Sequence, residues 1–225
     1  MLPSSTVENY LKAIYQAQMA QEDRKRLVPM GQLASTLGVV PGTATTMVKA
    51  LADSGLVKYE PYTGVRLTPA GQKLAALVLR RHRLIELFLV NVLGMSWTEV
   101  HDEAERLEHA ASDRLIDRID AMLGRPAVDP HGDPIPDSDG GVATPKYQSL
   151  LNCPLSTPVV LTRVTDQDTA FLRFLESNEL KPGQTIRVEV RDVAADHVAV
   201  CRKNRQPIMI GMRAAAKLLV APTDS

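Results

Sequence analysis

The sequence of 225 residues has few cysteines, few aromatic residues and no net charge. Its two cysteines, Cys153 and Cys201, lie far apart, which argues against a disulfide-rich secreted domain and suits a reducing compartment. Aromatic residues make up only 4%, whereas Leu, Ala and Val are plentiful, which favours helices. Because 26 basic residues balance 26 acidic ones, any contact with DNA must come from a local surface.

Long apolar runs, a secretion signal and common catalytic motifs are also missing. No apolar stretch approaches the ~20 residues of a membrane-spanning helix, and the N-terminus lacks the basic-then-apolar plan of a signal peptide. We therefore expect a cytoplasmic protein without a membrane partner. The sequence contains no G-x-S-x-G, no H-E-x-x-H and no Gly-rich phosphate loop, so we do not expect an enzyme.

The first 72 residues have the pattern of a winged helix-turn-helix domain. Helical spacing of apolar residues predicts helices over 4–20, 30–37 and 41–53. Ser5 and Glu8 form a capping box at the start of the first, and Gly38 and Pro41 mark the turn between the second and third. Two predicted strands, 56–59 and 65–68, follow with Pro and Gly at their bend, which is the winged form.

The third helix and the hairpin carry the residues predicted to contact DNA. Short hydroxyl side chains let a helix approach base edges, and basic side chains contact phosphates. The domain has seven Lys and Arg against five Asp and Glu, a modest positive surplus. The predicted contacts are Thr43, Thr45, Thr46 and Lys49 on the helix, and Lys58, Tyr62 and Arg66 on the hairpin.

The stretch Val100–His109 concentrates candidate metal ligands. On a helix, its two histidines and two of its glutamates fall within about a third of the circumference. A second pair, four residues apart, lies in the preceding predicted helix. Imidazoles and carboxylates without a thiolate suit Mn²⁺, Fe²⁺, Co²⁺ or Zn²⁺, although a solvated charged face is the alternative for any one residue. These candidates are His101, Glu105, Glu108 and His109, together with His82 and Glu86.

The rest of the chain divides by composition. The helices over 73–123 carry more apolar surface than one small domain needs, which predicts a homodimer interface. Six prolines fall within 124–154, which predicts an extended tether with Asp129 and His131 as its candidate ligands. Beyond it, a small barrel-like β domain with a short helix from Asp168 is predicted. Its strands are predicted over 159–164, 185–190, 198–202 and 207–210.

These motifs resemble those of the diphtheria toxin repressor family of metal-dependent regulators, which includes the manganese transport regulators. The resemblance rests on Arg80-Arg81-His82-Arg83-Leu84 with Glu86, Val100–His109, Glu8-Asn9-Tyr10-Leu11, Tyr59-Glu60-Pro61-Tyr62 and Pro130-His131-Gly132. It covers nearly the whole chain and implies a mainly α fold with a small β domain. The implied parts are a winged helix-turn-helix domain (1–72), a helical dimerisation and metal-binding domain (73–123), a Pro-rich linker (124–154) and an SH3-like β-barrel (155–225).

The resemblance also implies two metal sites. The primary, activating site takes Glu105, Glu108 and His109, with Asn9 where relatives carry Met or Asp. Lys12 stands where some manganese sensors have a Glu for a paired ion, so that arrangement is not expected here. Val164 stands where iron sensors have a Glu. The ancillary site takes His82, Glu86 and His101, with Gln167 from the β domain and with His131 and Asp129 as further candidates.

The implied function is a metal-dependent transcriptional regulator, a repressor of metal-uptake genes. It would bind double-stranded operator DNA as a homodimer, with up to two ions per subunit. Iron-sensing members commonly carry Cys where this chain has Glu105, so Mn²⁺ is favoured over Fe²⁺. The alternative is a metal-buffering or interaction protein on the same fold that does not bind specific DNA.

Overall fold

The computed structural model describes residues 4–21, 23, 26–143, 145–203 and 205–223. They form two compact units. The first takes in residues up to His82, with Glu108–Ser112 and Ile135–Ala143. The second takes in Arg83–Leu107, Asp113–Pro134 and the residues beyond Ala143. Among the described residues, no helix is both long and apolar enough to cross a membrane.

The N-terminal elements form a winged helix-turn-helix. They are α1 (Ser5–Met19), α2 (Met30–Thr36), α3 (Pro41–Asp53), β1 (Val57–Glu60) and β2 (Gly64–Leu67). The two strands pair antiparallel, and Val28 adds an isolated bridge to Val65. Buried residues of all three helices and the hairpin share one core, and Gln18 Oε1 of α1 accepts a hydrogen bond from Leu67 N at 3.1 Å. The predicted winged domain is confirmed.

The start of α1 differs from the prediction by one residue. Ser4 is the N-cap, and its hydroxyl accepts a hydrogen bond from Val7 N at 3.4 Å. The predicted Ser5–Glu8 capping box is therefore wrong. With Ser4 as the N-cap, Glu8 lies one residue beyond the capping-box position, and its carboxylate instead accepts hydrogen bonds from Arg81 and His109.

Three helices follow the wing: α4 (Pro69–Asn91), α5 (Val100–Leu107) and α6 (Asp113–Met122). The ligand-rich helix begins at Val100, because Ser96–Glu99 form a turn in which Ser96 O accepts a hydrogen bond from Glu99 N at 3.0 Å. On α6, Ile116 and Ile119 are buried, whereas Leu115 and Met122 are exposed. This helix therefore presents apolar side chains to the outside of the single chain.

The C-terminal elements build a six-stranded antiparallel sheet in the order β3-β8-β4-β5-β6-β7. The elements are β3 (Gln148–Ser149), β4 (Val159–Val164), α7 (Thr169–Ser177), β5 (Thr185–Asp192), β6 (His197–Arg202), β7 (Ile208–Gly211), α8 (Met212–Ala215) and β8 (Leu218–Pro222). The SH3-like fold predicted for this part is confirmed. Two strands escaped prediction, because β3 has two residues and β8 is a short apolar run without alternation. Trp97 and Leu150 are buried in the same core as the sheet residues.

Part of the proline-rich segment, residues 129–136, is packed, in contrast to the extended tether predicted over 124–154. Asp129 Oδ1 accepts hydrogen bonds from His131 N and Asp133 N at 2.8 and 2.9 Å, and all three side chains are buried. His131 O accepts a hydrogen bond from Val164 N at 2.8 Å, which docks this turn onto β4. Composition could not reveal this turn, because an aspartate side chain, and not a regular helix or strand, accepts the hydrogen bonds of its backbone N–H groups.

Gly132 allows the close approach of this turn to β4. Its φ is +84°, and a Cβ at this position would lie 1.8 Å from Thr162 O. We expect Gly132→Ala to lower the free energy of unfolding by about 2 kcal/mol or more, because it adds a clash to an unfavourable backbone conformation. Urea unfolding followed by the fluorescence of Trp97, the only tryptophan, measures this loss.

Gly183→Ala is the matched control in the same unit. Gly183 also has a positive φ, +91°, but a Cβ there would meet nothing within 4 Å. Only the conformational cost should remain, about 1 kcal/mol. Equal losses in the two variants would show that the turn is not held against β4 as the distances indicate.

Candidate metal centres and DNA-binding face

The first unit gathers charged and imidazole side chains from three separate parts of the chain. α1 contributes two of them, α4 contributes two, and the residues directly after α5 contribute two more. All but one are buried, and the exception is 19% exposed. The set consists of Glu8, Lys12, Arg81, His82, Glu108 and His109. Glu8 and Lys12 were not among the predicted ligands.

Glu108 is the fully buried anion of this first cluster. Its Oε2 accepts a hydrogen bond from His82 Nδ1 at 2.6 Å, and its Oε1 accepts one from Lys12 Nζ at 2.7 Å. Burial alone would raise the pKa of Glu108, but the hydrogen bonds and charges of His82 and Lys12 outweigh burial and lower the pKa. The side chain is therefore held as a carboxylate, the form that binds a metal ion.

His109 is oriented by a chain of charged hydrogen bonds. Its Nδ1 donates to Glu8 Oε2 at 2.6 Å, and Arg81 donates to Glu8 Oε1 at 3.2 Å. Since a carboxylate only accepts, Nδ1 carries the proton and Nε2 carries the lone pair. A carboxylate that fixes the tautomer and orientation of an imidazole in this way is typical of metal-binding histidines.

Two acceptor atoms of the first unit fit a metal ion. His109 Nε2 is buried, lies 3.4 Å from Glu108 Oε1 and has no hydrogen bond from the described residues. Asn9 Oδ1 is likewise buried without a hydrogen bond from that part of the chain. Buried acceptors are normally satisfied, so these atoms indicate a missing partner. Asn9 Oδ1, Glu108 and His109 Nε2 are chemically suited to a divalent cation.

The second unit contains another buried cluster, formed by Glu86, Asp129 and His131. His131 Nε2 donates to Trp97 O at 2.9 Å, so Nδ1 carries the lone pair. Nδ1 lies 4.0 Å from Glu86 Oε2 and from Asp129 Oδ1. One ligand atom from each of the three residues lies within 4.8 Å of the others. Such a spacing leaves room for an ion between them.

The polar atoms of this second cluster also fit a metal. His131 Nδ1 and Asp129 Oδ2 are buried and receive no hydrogen bond within the described residues, although Arg83 Nε lies 3.5 Å from that oxygen. Burial, followed by the charges of Asp133 and Glu86, raises the pKa of Asp129 well above its usual value. Nearby carboxylates therefore repel one another here, and a cation would relieve that repulsion.

Three other predicted ligands also lie in the second unit. His101 Nδ1 is 3.2 Å from Glu86 Oε1, and its Nε2 is 3.8 Å from Glu105 Oε1 one turn along α5. Gln167 is bonded to the turn that contains Asp129 and Asp133. Its Nε2 donates to Asp133 Oδ2 at 3.2 Å, and Asp133 also pairs with Arg163. Gln167 thus supports the turn that carries His131.

The predicted DNA-contacting residues lie on α3 and on the hairpin. Thr43, Thr46 and Lys49 are exposed, and Thr45 is half-buried. The hydroxyls of Thr45 and Thr46 donate to the carbonyls four residues earlier, at 2.8 and 3.0 Å. A hydroxyl retains acceptor capacity in that state and must rotate to donate to a base.

On the hairpin, side chains of opposite strands share one face. Lys58 is exposed and is paired in register with Arg66, which is half-buried. Tyr62 is fully exposed at the tip of the wing. Two of the basic residues counted in this domain, Arg24 and Lys25, lie outside the described residues. Lys58 and Arg66 place positive charge on the wing, as contact with phosphates requires.

The sequence does contain a signal for the two residues that escaped prediction. Glu8 and Lys12 are one helical turn apart, on an α1 that is otherwise apolar on its inner side. Charged residues at this spacing beside Leu11 and Ile14 indicate buried charge, which requires partners. The partners themselves lie 96 and 101 residues away and could not be identified from spacing.

Comparison with known proteins agrees with this arrangement. Residues 3–65 match the iron dependent repressor N-terminal DNA binding domain, 68–137 match the iron dependent repressor metal binding and dimerisation domain, and 148–222 match the FeoA domain. A solved manganese-dependent transcriptional repressor in complex with manganese is 41% identical, with a TM-score of 0.86 over 96% of this chain and 99% of that one.

Two further relatives have similar coverage. The iron-dependent repressor IdeR of Mycobacterium leprae is 30% identical over 197 residues, which are 82% of this chain and 84% of that protein. The structure of ScaR with bound Zn²⁺ is 32% identical, with a TM-score of 0.77 over 98% of this chain and 100% of that one.

The winged helix, the buried ligand clusters and the SH3-like sheet together define a metal-dependent DNA-binding regulator. More particularly, the chain belongs to the iron-dependent repressor family, whose members include the diphtheria toxin repressor. The predicted resemblance and the predicted fold class are confirmed.

Proposed function

We propose that this protein is a Mn²⁺-activated repressor of metal-uptake genes. The observation that carries the proposal is the Arg81–Glu8–His109 relay, which points a lone-pair nitrogen of His109 towards the carboxylate of Glu108. Burying these charges costs free energy, and an ion bound between His109 and Glu108 would offset that cost. Because the ligands are carboxylate, amide and imidazole groups without a thiolate, Mn²⁺ is favoured over Fe²⁺.

We assign two metal centres to each subunit. The first centre takes Asn9, Glu105, Glu108 and His109. The second takes Glu86, Asp129 and His131, with His101 beside Glu86; the family resemblance adds His82 as a ligand and Gln167 as a contributor from the β domain. When bound, an ion supplies the positive charge that the buried carboxylates lack and links segments far apart in the chain.

The ligand positions suggest how metal and DNA binding are coupled. Asn9 lies near the start of α1, whereas Glu105, Glu108 and His109 lie at and just beyond the end of α5. Tying these segments together would restrict the positions available to the winged domain. In a homodimer, the spacing of the two α3 helices would then match successive major-groove half-sites of operator DNA.

The exposed apolar residues of α6 support the proposed homodimer. Leu115 is 51% exposed and Met122 is 67% exposed, and Leu107 at the end of α5 is exposed too. Side chains of this type on the outside of a single chain are typical of a subunit interface. We propose that a dimer formed here acts in the cytoplasm, where operator DNA is accessible.

The proposed function is tested by measuring binding to the protein's own promoter region with Mn²⁺, with Fe²⁺ and with chelator. We expect Mn²⁺ to raise the affinity at least about tenfold over chelator, since a coupling of that size is typical of allosteric regulators. Equal affinity under all three conditions would rule out the metal switch. Fluorescence anisotropy under anaerobic conditions provides the measurement.

The residues assigned to DNA contact can be tested in the same assay. We expect Lys49→Ala to weaken binding to all sequences and to reduce the slope of log affinity against log salt by about one. The matched control is Lys73→Ala, because Lys73 is an exposed lysine of α4, outside α3 and the wing. An unchanged slope for Lys49→Ala would contradict the assignment of α3 as the DNA-contacting helix.

A metal-buffering protein on the same fold is the competing function. The winged domain has only a modest positive surplus, and the hydroxyls of Thr45 and Thr46 are already bonded to α3 itself. Glu105→Ala separates the two functions. A regulator would lose Mn²⁺-dependent DNA binding, whereas a buffering protein would lose only metal capacity and would show no metal-dependent DNA binding in the unmodified chain.

A further inference from the structure

Lys12 contacts a carboxylate that the first centre would use to bind a metal ion. Its ammonium is 2.7 Å from Glu108 Oε1, and that same oxygen is 3.4 Å from the lone-pair nitrogen of His109. The Lys12 side chain is 7% exposed and that of Glu108 is fully buried. A positive charge of the chain itself thus already occupies the oxygen that is best placed to share an ion with His109.

The pairing of charges in the first unit also singles out the contact between Lys12 and Glu108. Each buried carboxylate of this cluster contacts a buried cation: Glu8 pairs with Arg81, and Glu108 pairs with Lys12. The cations differ in their chemistry. The Arg81 guanidinium supports His109 through Glu8, whereas the Lys12 ammonium is a compact charge on a flexible stem.

The second unit provides a contrast within the same chain. The Asp129 carboxylate of the second cluster lies beside an arginine: Arg83 Nε is 3.5 Å from Asp129 Oδ2, and that oxygen receives no hydrogen bond within the described residues. Lys12 Nζ is closer to its carboxylate, at 2.7 Å from Glu108 Oε1. An ion binding at Asp129 Oδ2 therefore displaces no hydrogen bond from that oxygen, whereas an ion binding at Glu108 Oε1 meets the Lys12 ammonium.

We propose that Lys12 is a tethered competitor for the divalent ion at the first centre. It neutralises Glu108 when metal is absent and is displaced from Glu108 Oε1 when an ion binds there, because two positive charges at contact distance on one oxygen repel each other strongly. Lys12 thereby raises the Mn²⁺ concentration at which the first centre fills. This inference rests on the proposed function, since it requires that the first centre binds metal.

The test compares Mn²⁺ binding to the unmodified chain, Lys12→Gln and Lys12→Arg by calorimetry. Lys12→Gln removes the charge but keeps a polar side chain, and we expect it to raise the affinity of the first centre at least about tenfold. Lys12→Arg keeps the charge and should leave affinity near that of the unmodified chain. Lys73→Gln, which changes a lysine that is 58% exposed on α4, is the surface control.

Trp97 provides an internal reference for the second centre. Its ring centroid lies 5.5 Å from that of His131, so bound paramagnetic Mn²⁺ should quench its fluorescence. The Mn²⁺ dependence of that quenching should be the same in all four proteins. Thermal unfolding adds a readout of metal-free stability: we expect Lys12→Gln to have a lower Tm in chelator and a larger rise in Tm on adding Mn²⁺.

The possible failures are distinguishable. If the unmodified chain binds Mn²⁺ at the first centre and Lys12→Gln binds it with the same affinity and the same rise in Tm, Lys12 is only a structural partner of Glu108 and the inference is wrong. If Lys12→Gln gains nothing because no protein in the series binds Mn²⁺ there, the proposed function fails together with the inference. If Lys12→Gln does not fold in chelator, recovery in Mn²⁺ at a concentration too low to fill the unmodified first centre would support the inference, and no recovery would contradict it.

Discussion

Glu108→Ala should abolish Mn²⁺-dependent DNA binding and should also destabilise the metal-free protein by about 3–5 kcal/mol. Both effects come from one fully buried carboxylate, which accepts hydrogen bonds from Lys12 at 2.7 Å and from His82 at 2.6 Å. Its removal leaves the Lys12 ammonium buried without its counter-charge. It also removes the proposed ligand next to His109. Urea unfolding in chelator and promoter binding with Mn²⁺ measure the two effects.

A second substitution separates charge from packing in this prediction. In the double variant Lys12→Met with Glu108→Ala, the isolated buried charge is gone, so much of the lost stability should return, while Mn²⁺-dependent DNA binding should still be absent. Glu103→Ala on α5 is the control, because the Glu103 side chain is 40% exposed and pairs with the exposed Arg106 at 3.4 Å. Its free energy of unfolding should stay within about 0.5 kcal/mol of that of the unmodified chain. A Glu108→Ala variant as stable as this control would contradict the proposed burial of charge.

Asp129→Asn should have the largest effect on the second centre. It removes an anionic ligand from the cluster with Glu86 and His131 while preserving shape, and we expect the Mn²⁺ affinity of that centre to fall at least about 100-fold. Quenching of Trp97 by Mn²⁺ is the measurement, because the Trp97 ring lies 5.5 Å from the His131 ring. Asp139→Asn, an exposed carboxylate that pairs with Lys73 at 3.6 Å, is the matched control. Quenching that is unchanged in Asp129→Asn would exclude Asp129 as a ligand.

The same substitution should change how stability depends on pH when metal is absent. Burial and the neighbouring carboxylates Asp133 and Glu86 raise the pKa of Asp129 above the ordinary value of 3.8. A raised pKa means that the folded state holds this proton more tightly than the unfolded state. The Asp129 contribution to stability is therefore fully present below about pH 4 and is lost as the pH rises through the raised pKa.

Asparagine does not titrate, so the variant should lack this component. The stability of the unmodified chain relative to Asp129→Asn, both in chelator, should decline as the pH rises from about 4 towards neutrality. Urea unfolding at a series of pH values provides the measurement. At neutral pH, Mn²⁺ should reverse the order of stability of the two proteins, because the ion replaces the proton on Asp129. A constant difference across this range would mean that Asp129 is not protonated more readily in the folded protein.

Much of the fold was predictable because it depends on local chemistry. Pro41 at a helix start, Gly38 after a helix end and Asp168 as an N-cap set element bounds that the structure reproduces closely. Apolar periodicity identified the winged helix and four strands of the sheet. The packed turn at Asp129–Asp133 was not predictable, because side-chain hydrogen bonds and the approach of Gly132 to β4 hold it, and composition carries neither.

By itself the sequence determined the architecture and the kinds of ligand available, because helical spacing and residue chemistry operate within a few residues. Helical spacing placed His101, Glu105, Glu108 and His109 on one stripe, and the family resemblance rather than the spacing divided them between two sites. Only the tertiary structure decided that Glu8 orients His109 and that Lys12 neutralises Glu108, because those partners are 101 and 96 residues apart. A charge buried by folding takes whichever partner the packing brings within reach, and no local pattern encodes that choice.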